Sequence, residues 1–207
     1  AAQLLGVPVI NNIAGLGLAH SKLVLRILVR FLYRMSLKKF TCFFQNTDDK
    51  KYFLEHKISS NSRSFLLPGS GVDVQKFKRH KAAGITRKAP RKFIFLLSAR
   101  LLWSKGVVEY VRAAEIISAE YEKVEFWVIG FLNLDSDDSI PESQVRLWHE
   151  KGVIKYMGCV DDIAPILAGV DCFVLPTYYP EGTPRSLLEA AAMELPIITT
   201  DRPGCRD

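Results

Sequence analysis

Short apolar runs alternate with amphipathic stretches along this chain, and together they predict its elements. Val7-Pro8-Val9-Ile10 reads as the end of a strand. It leads into Asn11-Asn12-Ile13-Ala14-Gly15-Leu16-Gly17, a loop whose glycines let backbone come close to a neighbour or a ligand. Residues 21–39 show helical spacing, with Lys22, Arg26, Arg30, Arg34 and Lys38 at every fourth position among Leu, Ile, Val and Phe. Four residues overshoot one turn, so this basic stripe drifts around the helix. Thr41-Cys42-Phe43-Phe44 is a second strand. Asn46 or Thr47 caps a helix reaching about His56, with Asp48 and Asp49 in the first turn, where the helix dipole favours acids. A polar connector from Ser59 to Ser64 precedes the strand Phe65-Leu66-Leu67, and Pro68-Gly69-Ser70-Gly71-Val72-Asp73 is its turn-rich exit.

From Phe93 the alternation becomes regular. Strands are predicted at Phe93 to Leu97, Val124 to Ile129, Val153 to Met157, 171–175 and 196–199. Between them come a helix with Val107, Val111, Ala114 and Ile117 on one face, and a helix opened by Pro141 that runs to about Glu150. A short helix capped by Asp161 or Asp162 and a helix over 184–194 complete the series. Strands alternating with helices imply an α/β fold with parallel pairing and right-handed crossovers. Ligands of such sheets bind beyond the carboxyl ends of the strands. The loops after Leu97, Ile129, Met157, Leu175 and Thr199 are therefore expected to line one crevice, gathering Arg100, Lys105, Gly130, Cys159 and the Glu181–Glu189 segment. Residues 78–92 break the pattern with seven lysines and arginines and no acid. This is the expected domain boundary, which gives residues 1–77, a solvated basic linker 78–92, and a second domain 93–207. No aromatic side chains are interleaved for base stacking, so nucleic acid is not the expected partner.

Composition narrows the class. The 207 residues are 48% hydrophobic, enough for one good core, or one domain and part of another. A net charge of +6 favours anionic partners. Cys42, Cys159, Cys172 and Cys205 include no C-x-x-C and signal neither zinc nor a dithiol. Three of them, in or beside apolar runs, are expected to be buried thiols, which fits a reducing cytosol. Three arginines interrupt residues 21–39, so that stretch does not read as a transmembrane span. It fits equally an ordinary helix with a solvated basic edge and an amphipathic helix resting on anionic lipid. The chain does not begin with Met and starts within what reads as a helix end, the pattern expected of a fragment.

The candidate chemistry centres on Pro180-Glu181-Gly182-Thr183-Pro184-Arg185-Ser186-Leu187-Leu188-Glu189. Thr183 suits a helix N-cap and Pro184 the first helical position. The backbone N–H groups of Arg185, Ser186 and Leu187 would then point out of the helix start, which is an anion site. Glu181 and Glu189 flank that site. Carboxylates repel phosphate but accept hydrogen bonds from hydroxyls, so the ligand suggested is a phosphate with sugars on both sides. An ordinary α/β loop with two solvated glutamates has the same pattern, and both readings stand on the residues alone. Arg100, with its forked pair of donors, and Lys105, a point charge, leave the first strand of the second domain towards the same crevice.

Several segments resemble the retaining glycosyltransferases of family 4. They are Leu67 through Asp73; Ser98-Ala99-Arg100-Leu101-Leu102-Trp103-Ser104-Lys105-Gly106; Tyr156-Met157-Gly158 with Val160-Asp161-Asp162; Pro180 through Glu189; and Thr200 through Asp207. The resemblance implies a GT-B fold: a parallel-sheet Rossmann-like C-terminal domain, truncated at its end, plus the end of a second, acceptor-side Rossmann-like domain. It implies that Arg100 and Lys105 bind the donor diphosphate and stabilise the departing nucleotide, that Glu181 bonds the transferred sugar, and that Glu189 holds the ribose. The backbone of Gly182, Thr183, Pro184, Arg185, Ser186 and Leu187 would complete the diphosphate site, and Cys159 and Val160 would face the base. Gly15 and Gly17 resemble a glycine-rich loop that closes over the donor. A histidine that many relatives carry before that loop is absent, and Asn11 and Asn12 stand there. The implied activity is retaining transfer of a hexosyl or N-acetylhexosaminyl group, in polysaccharide or lipopolysaccharide synthesis, without metal or cofactor. The implied partners are a nucleotide-sugar donor, with uridine favoured by family frequency, and a glycan or lipid-linked acceptor. The implied location is the cytoplasm or the cytoplasmic membrane face. A non-catalytic nucleotide-binding module is the alternative.

Overall fold

The chain's computed structural model describes residues 5–15, 23–79, 91–132 and 136–207. Gly17 and most of the basic stretch 78–92 fall outside them. The first strands are β1 (Ile10–Ile13), β2 (Thr41–Phe44) and β3 (Ser64–Leu66), separated by the helices α1 (Leu23–Leu37) and α2 (Thr47–Glu55). They form a parallel sheet in the order β1-β2-β3. The expected strand at Val7 to Ile10 sits three residues later. Pro8 has no N–H for a ladder, whereas Asn11 and Asn12 pair with Cys42 and Phe43 despite their weak strand preference. Asn46 is the N-cap of α2, its side chain accepting from the Asp49 N–H at 2.7 Å.

The second sheet holds β4 (Phe93–Ser98), β5 (Val124–Ile129), β6 (Lys155–Tyr156), β7 (Cys172–Leu175) and β8 (Ile197–Thr199). Its order is β6-β5-β4-β7-β8, with every pairing parallel. The helices between these strands are α3 (Val107–Glu120), α4 (Glu142–Glu150), α5 (Ala164–Gly169) and α6 (Arg185–Ala192). Strand β6 is shorter than the apolar run at 153–157 suggests. The N–H groups of Val153 and Ile154 close the end of α4 by donating to the Trp148 carbonyl, and Gly152 makes the left-handed turn there. A 3-10 turn at Trp103–Lys105, absent from the sequence reading, lies between β4 and α3.

The described chain divides into two compact units. One is Ala1–Gly71 with Tyr179–Arg185 and Asp201–Asp207, and the other is Val72–Tyr178 with Ser186–Thr200. Each has its own core. In the first, Leu37, Cys42, Phe44, Phe53 and Ile58 are buried, with the Phe44 and Phe53 rings edge-on at 4.9 Å. In the second, Leu97, Phe126, Val128 and Val174 of the sheet are buried together with Val111 of α3 and Val145 of α4, and Phe95 stacks on Phe126 at 4.9 Å. Each such side chain contributes about 1.5–3 kcal/mol by leaving water. Tyr110 is buried in this core with its hydroxyl 2.9 Å from the Phe95 carbonyl and 3.0 Å from that of Trp127. Burial pushes its phenol well above the ordinary range. Two cysteines, Cys42 and Cys172, are buried rather than the three expected; Cys205 is half-buried and Cys159 exposed.

Candidate donor site

In the second unit β4 is the central strand. The chain runs outward through β5 and β6, then returns to the other side of β4 for β7 and β8. Strand order thus reverses between β4 and β7, the place where open parallel sheets take ligands. The loop after β4 is fastened to the one after β5: Ala99 donates to the Ile129 carbonyl at 3.1 Å, and Leu101 to that of Phe131 at 3.1 Å. Gly130 is in turn tied to the loop after β6. It donates to the Gly158 carbonyl at 2.9 Å, and its own carbonyl accepts from the Tyr156 hydroxyl at 2.8 Å. Its φ is 155°, and a side chain there would overlap the Ala99 carbonyl oxygen. The close approach of the two loops therefore requires glycine.

These fastened loops frame a cleft of about 250 Å³ at the carboxyl ends of β4, β5 and β6. Arg100, Gly130, Cys159, Val160, Asp161 and Glu189 are among its lining residues. Five positions singled out in the sequence thus meet around one cavity: a guanidinium, a glycine, two loop residues and a carboxylate from α6. Neither Asp161 nor Asp162 is the N-cap of α5, which is Ile163: Asp162 accepts from the Ala164 N–H at 3.2 Å just before the helix and pairs with Lys76 at 3.0 Å, while Asp161 lines the cleft. The hydrogen bond from Lys76, then that from Ala164, holds the Asp162 carboxyl below its usual range. Lys105 does not line this cleft. It is buried, closes the 3-10 turn through its N–H to the Leu102 carbonyl at 3.1 Å, and precedes Gly106, whose φ is 74°.

The Glu181 loop belongs to the first unit, where glycines bring three backbones together. The Gly182 N–H donates to the Ala14 carbonyl at 2.9 Å, and a Cβ on Gly15 would lie 2.7 Å from the Gly182 nitrogen. A side chain on Gly204 would overlap the Gly182 carbonyl. Asn46 Nδ2 donates to the Glu181 carbonyl at 3.2 Å and to Asp49 Oδ2 at 2.9 Å. Helix α6 starts at Arg185, one residue later than the cap at Thr183 implies, and the Thr183 hydroxyl instead donates to the Gln45 carbonyl at 3.1 Å. Pro184 and Leu187 are buried, Ser186 is half-buried and Arg185 is exposed. The sequence does not announce the contacts of Gln45, Asn46 and Gly204 with this loop; Asn46 signals only its capping role there.

The profile of the family described as "Glycosyl transferases group 1" matches residues 92–207, more than half of the chain. The chain belongs to the group 1 glycosyl transferases. Among curated relatives of this group 1 chain is the N,N'-diacetylbacillosaminyl-diphospho-undecaprenol alpha-1,3-N-acetylgalactosaminyltransferase of Campylobacter jejuni. It is 27% identical over 189 residues, 88% of this chain and 48% of that protein. The capsular polysaccharide biosynthesis glycosyltransferase CapM of Staphylococcus aureus is 30% identical over 170 residues, 74% of this chain and 43% of that one. The chain thus spans about half the length of the curated relatives it matches. Among solved structures, Anabaena HepE in complex with UDP superposes with a TM-score of 0.76 at 16% identity, covering 99% of this chain and 56% of that one. WaaG, a glycosyltransferase involved in lipopolysaccharide biosynthesis, gives 0.69 at 18% identity, covering 91% and 52%. The fold is GT-B.

Proposed function

We propose that this chain is the donor-binding portion of a glycosyltransferase that takes a sugar from a UDP-sugar and passes it, with retention of configuration, to a lipid-linked or glycan acceptor. The observation that carries the reading is the cleft beyond β4, β5 and β6, where Arg100 and Glu189 meet Cys159 and Val160 around one cavity. A guanidinium offers paired donors to diphosphate oxygens, and a carboxylate accepts from ribose hydroxyls. Base, ribose and diphosphate accordingly fall to Cys159 and Val160, Glu189, and Arg100 with Lys105. Glu181 is assigned to hydroxyls of the transferred hexosyl or N-acetylhexosaminyl group, and the Gly182–Leu187 backbone to phosphate. Gly15 and Gly17 are assigned to the loop over the donor.

In the proposed step the acceptor hydroxyl attacks the anomeric carbon from the face that the diphosphate leaves. The carbon–oxygen bond to phosphate breaks, the glycosidic bond forms, and the acceptor proton passes to the departing phosphate oxygen. The main stabilisation of the developing charge is assigned to the cations Arg100 and Lys105. The acceptor is assigned to the cytoplasmic face of a membrane. Supporting this, α1 buries Leu37 and half-buries Val29 and Tyr33, yet leaves Ile27, Leu28, Phe31, Leu32 and Met35 each more than half exposed beside Arg30 and Arg34. No helix among the described residues is long and apolar enough to cross a membrane.

Thermal unfolding with UDP, GDP or ADP tests the donor assignment. A ligand at about 100 times its Kd adds about 2.7 kcal/mol. A shift with UDP that Arg100→Ala abolishes is the expected result, and no shift with any nucleotide would overturn it. Binding by the intact protein without transfer to any acceptor would leave only a nucleotide-binding module.

A further inference from the structure

Lys105 carries half of the charge that the proposed reaction asks for, yet the short turn holding it is fastened mainly through its neighbour Ser104. All three hydrogen-bonding groups of Ser104 have partners in loops distant in sequence. Its N–H donates to Asp138 Oδ1 at 3.3 Å, and its hydroxyl to Asp138 Oδ2. Its carbonyl accepts from the Tyr178 N–H at 2.9 Å and from the Thr177 hydroxyl at 3.3 Å. The Thr177 carbonyl in turn accepts from the Thr200 hydroxyl. Thr177 is fully buried, and Ser104 and Lys105 nearly so. Trp103 adds a bond from its N–H to the Asp138 carbonyl at 2.9 Å, and Gly106 fits only because no side chain meets Pro176. The loops after β5, β4, β7 and β8 are thereby joined in one chain of bonds that passes through the turn. A carboxylate accepting from both groups of one serine holds that residue more strongly than neutral acceptors would.

We propose that Asp138 and Thr177 are positioning residues that act on the donor diphosphate through Lys105, with Ser104 as the link. The proposal rests on the donor reading of the site. Neither residue needs to touch the ligand; each fixes the turn from which the lysine arises, so that its charge is in place before the diphosphate enters. Such preorganisation costs no rearrangement on binding.

Titration calorimetry of the intact protein with UDP and with uridine separates this from simple structural support. Lys105→Ala sets the scale, weakening UDP and leaving uridine unchanged. Asp138→Ala is expected to weaken UDP about tenfold with uridine unchanged, and to add nothing further in the Lys105→Ala background, because residues acting as one unit are not additive. Thr177→Val is expected to behave likewise, and Thr177→Ser, which keeps the hydroxyl, to restore binding. If Asp138→Ala weakens uridine and UDP alike, or if its effect simply adds to that of Lys105→Ala, the inference fails. If UDP is lost in Arg100→Ala but unchanged in Lys105→Ala, the donor reading stands and the inference fails. A wild type that binds no UDP removes both.

Discussion

Asp49 shows how one side chain can hold a loop and at the same time make it sensitive to pH. It is buried, bonded to Asn46 Nδ2, and through Asn46 connected to the Glu181 carbonyl. Burial raises its pKa, with Asp48 and Asp207 adding to the rise and the Asn46 hydrogen bond opposing it. Between the unfolded value of about 3.9 and its raised folded value, the native state binds more protons than the unfolded chain. Stability contributed at this site therefore falls as pH rises through that window and is level above it. Melting wild type and Asp49→Asn at a series of pH values should show the difference shrinking towards the acid end. Tyr110 makes a simpler case. Tyr110→Phe keeps the ring in the core and removes a buried hydroxyl bonded to strand carbonyls, with an expected loss of about 1 kcal/mol in urea unfolding. Neither residue announces its role in the sequence. Tyr110 is not among the positions that mark the apolar face of its helix, and Asp49 reads as an ordinary first-turn acid. Their partners, Phe95 and Trp127 in one case and the Asn46–Glu181 link in the other, lie far apart along the chain.

At the scale of elements, helices and strands were legible wherever local pattern and tertiary demand agreed. Strands β2 and β5 fall where their apolar runs place them, and α2 has its predicted cap. The misses share one cause, competition for backbone hydrogen bonds. Val153 and Ile154 are apolar enough for a strand but are taken by the end of α4. Asn11 and Asn12 are poor strand formers, yet β2 supplies a ladder for them. Helix α1 ends at Leu37, two residues before the expected end, and its pattern could not say which apolar positions are covered. The structure buries the face of Leu37 and leaves that of Ile27, Phe31 and Met35 open, with Arg30 half-buried and Arg34 donating to the His56 carbonyl at 2.8 Å. The proposed membrane contact predicts that the protein sediments with phosphatidylglycerol-containing vesicles and not with phosphatidylcholine alone. Each cation near the surface is worth about 1 kcal/mol, so Arg30→Ala should weaken binding about fivefold. Equal binding to both vesicles would remove the electrostatic part of the proposal.

For the whole molecule, the proposed chemistry relies on fixed cations and backbone N–H groups rather than a divalent ion to stabilise the leaving diphosphate. Transfer by the intact protein should therefore be unchanged after EDTA treatment, when product formation is followed by release of UDP. A rate that collapses with EDTA and returns with magnesium would show that another group carries that charge. What the sequence by itself determined is the alternation of strand and helix, the parallel α/β class, the family, and the set of residues bearing chemistry. All of these follow from local periodicity and from motifs written in consecutive residues. Tertiary structure decided which of those residues meet. The reversal of strand order at β4 and β7 is a matter of pairing between distant segments. So is the approach of Gly130 to Ala99, which brings Arg100, Cys159 and Val160 around one cavity. The clasp of Asp138 on Ser104 and the bond from Asn46 to Glu181 span tens of residues or more of chain. No local pattern encodes such contacts, because their energy exists only once the loops have been folded against each other.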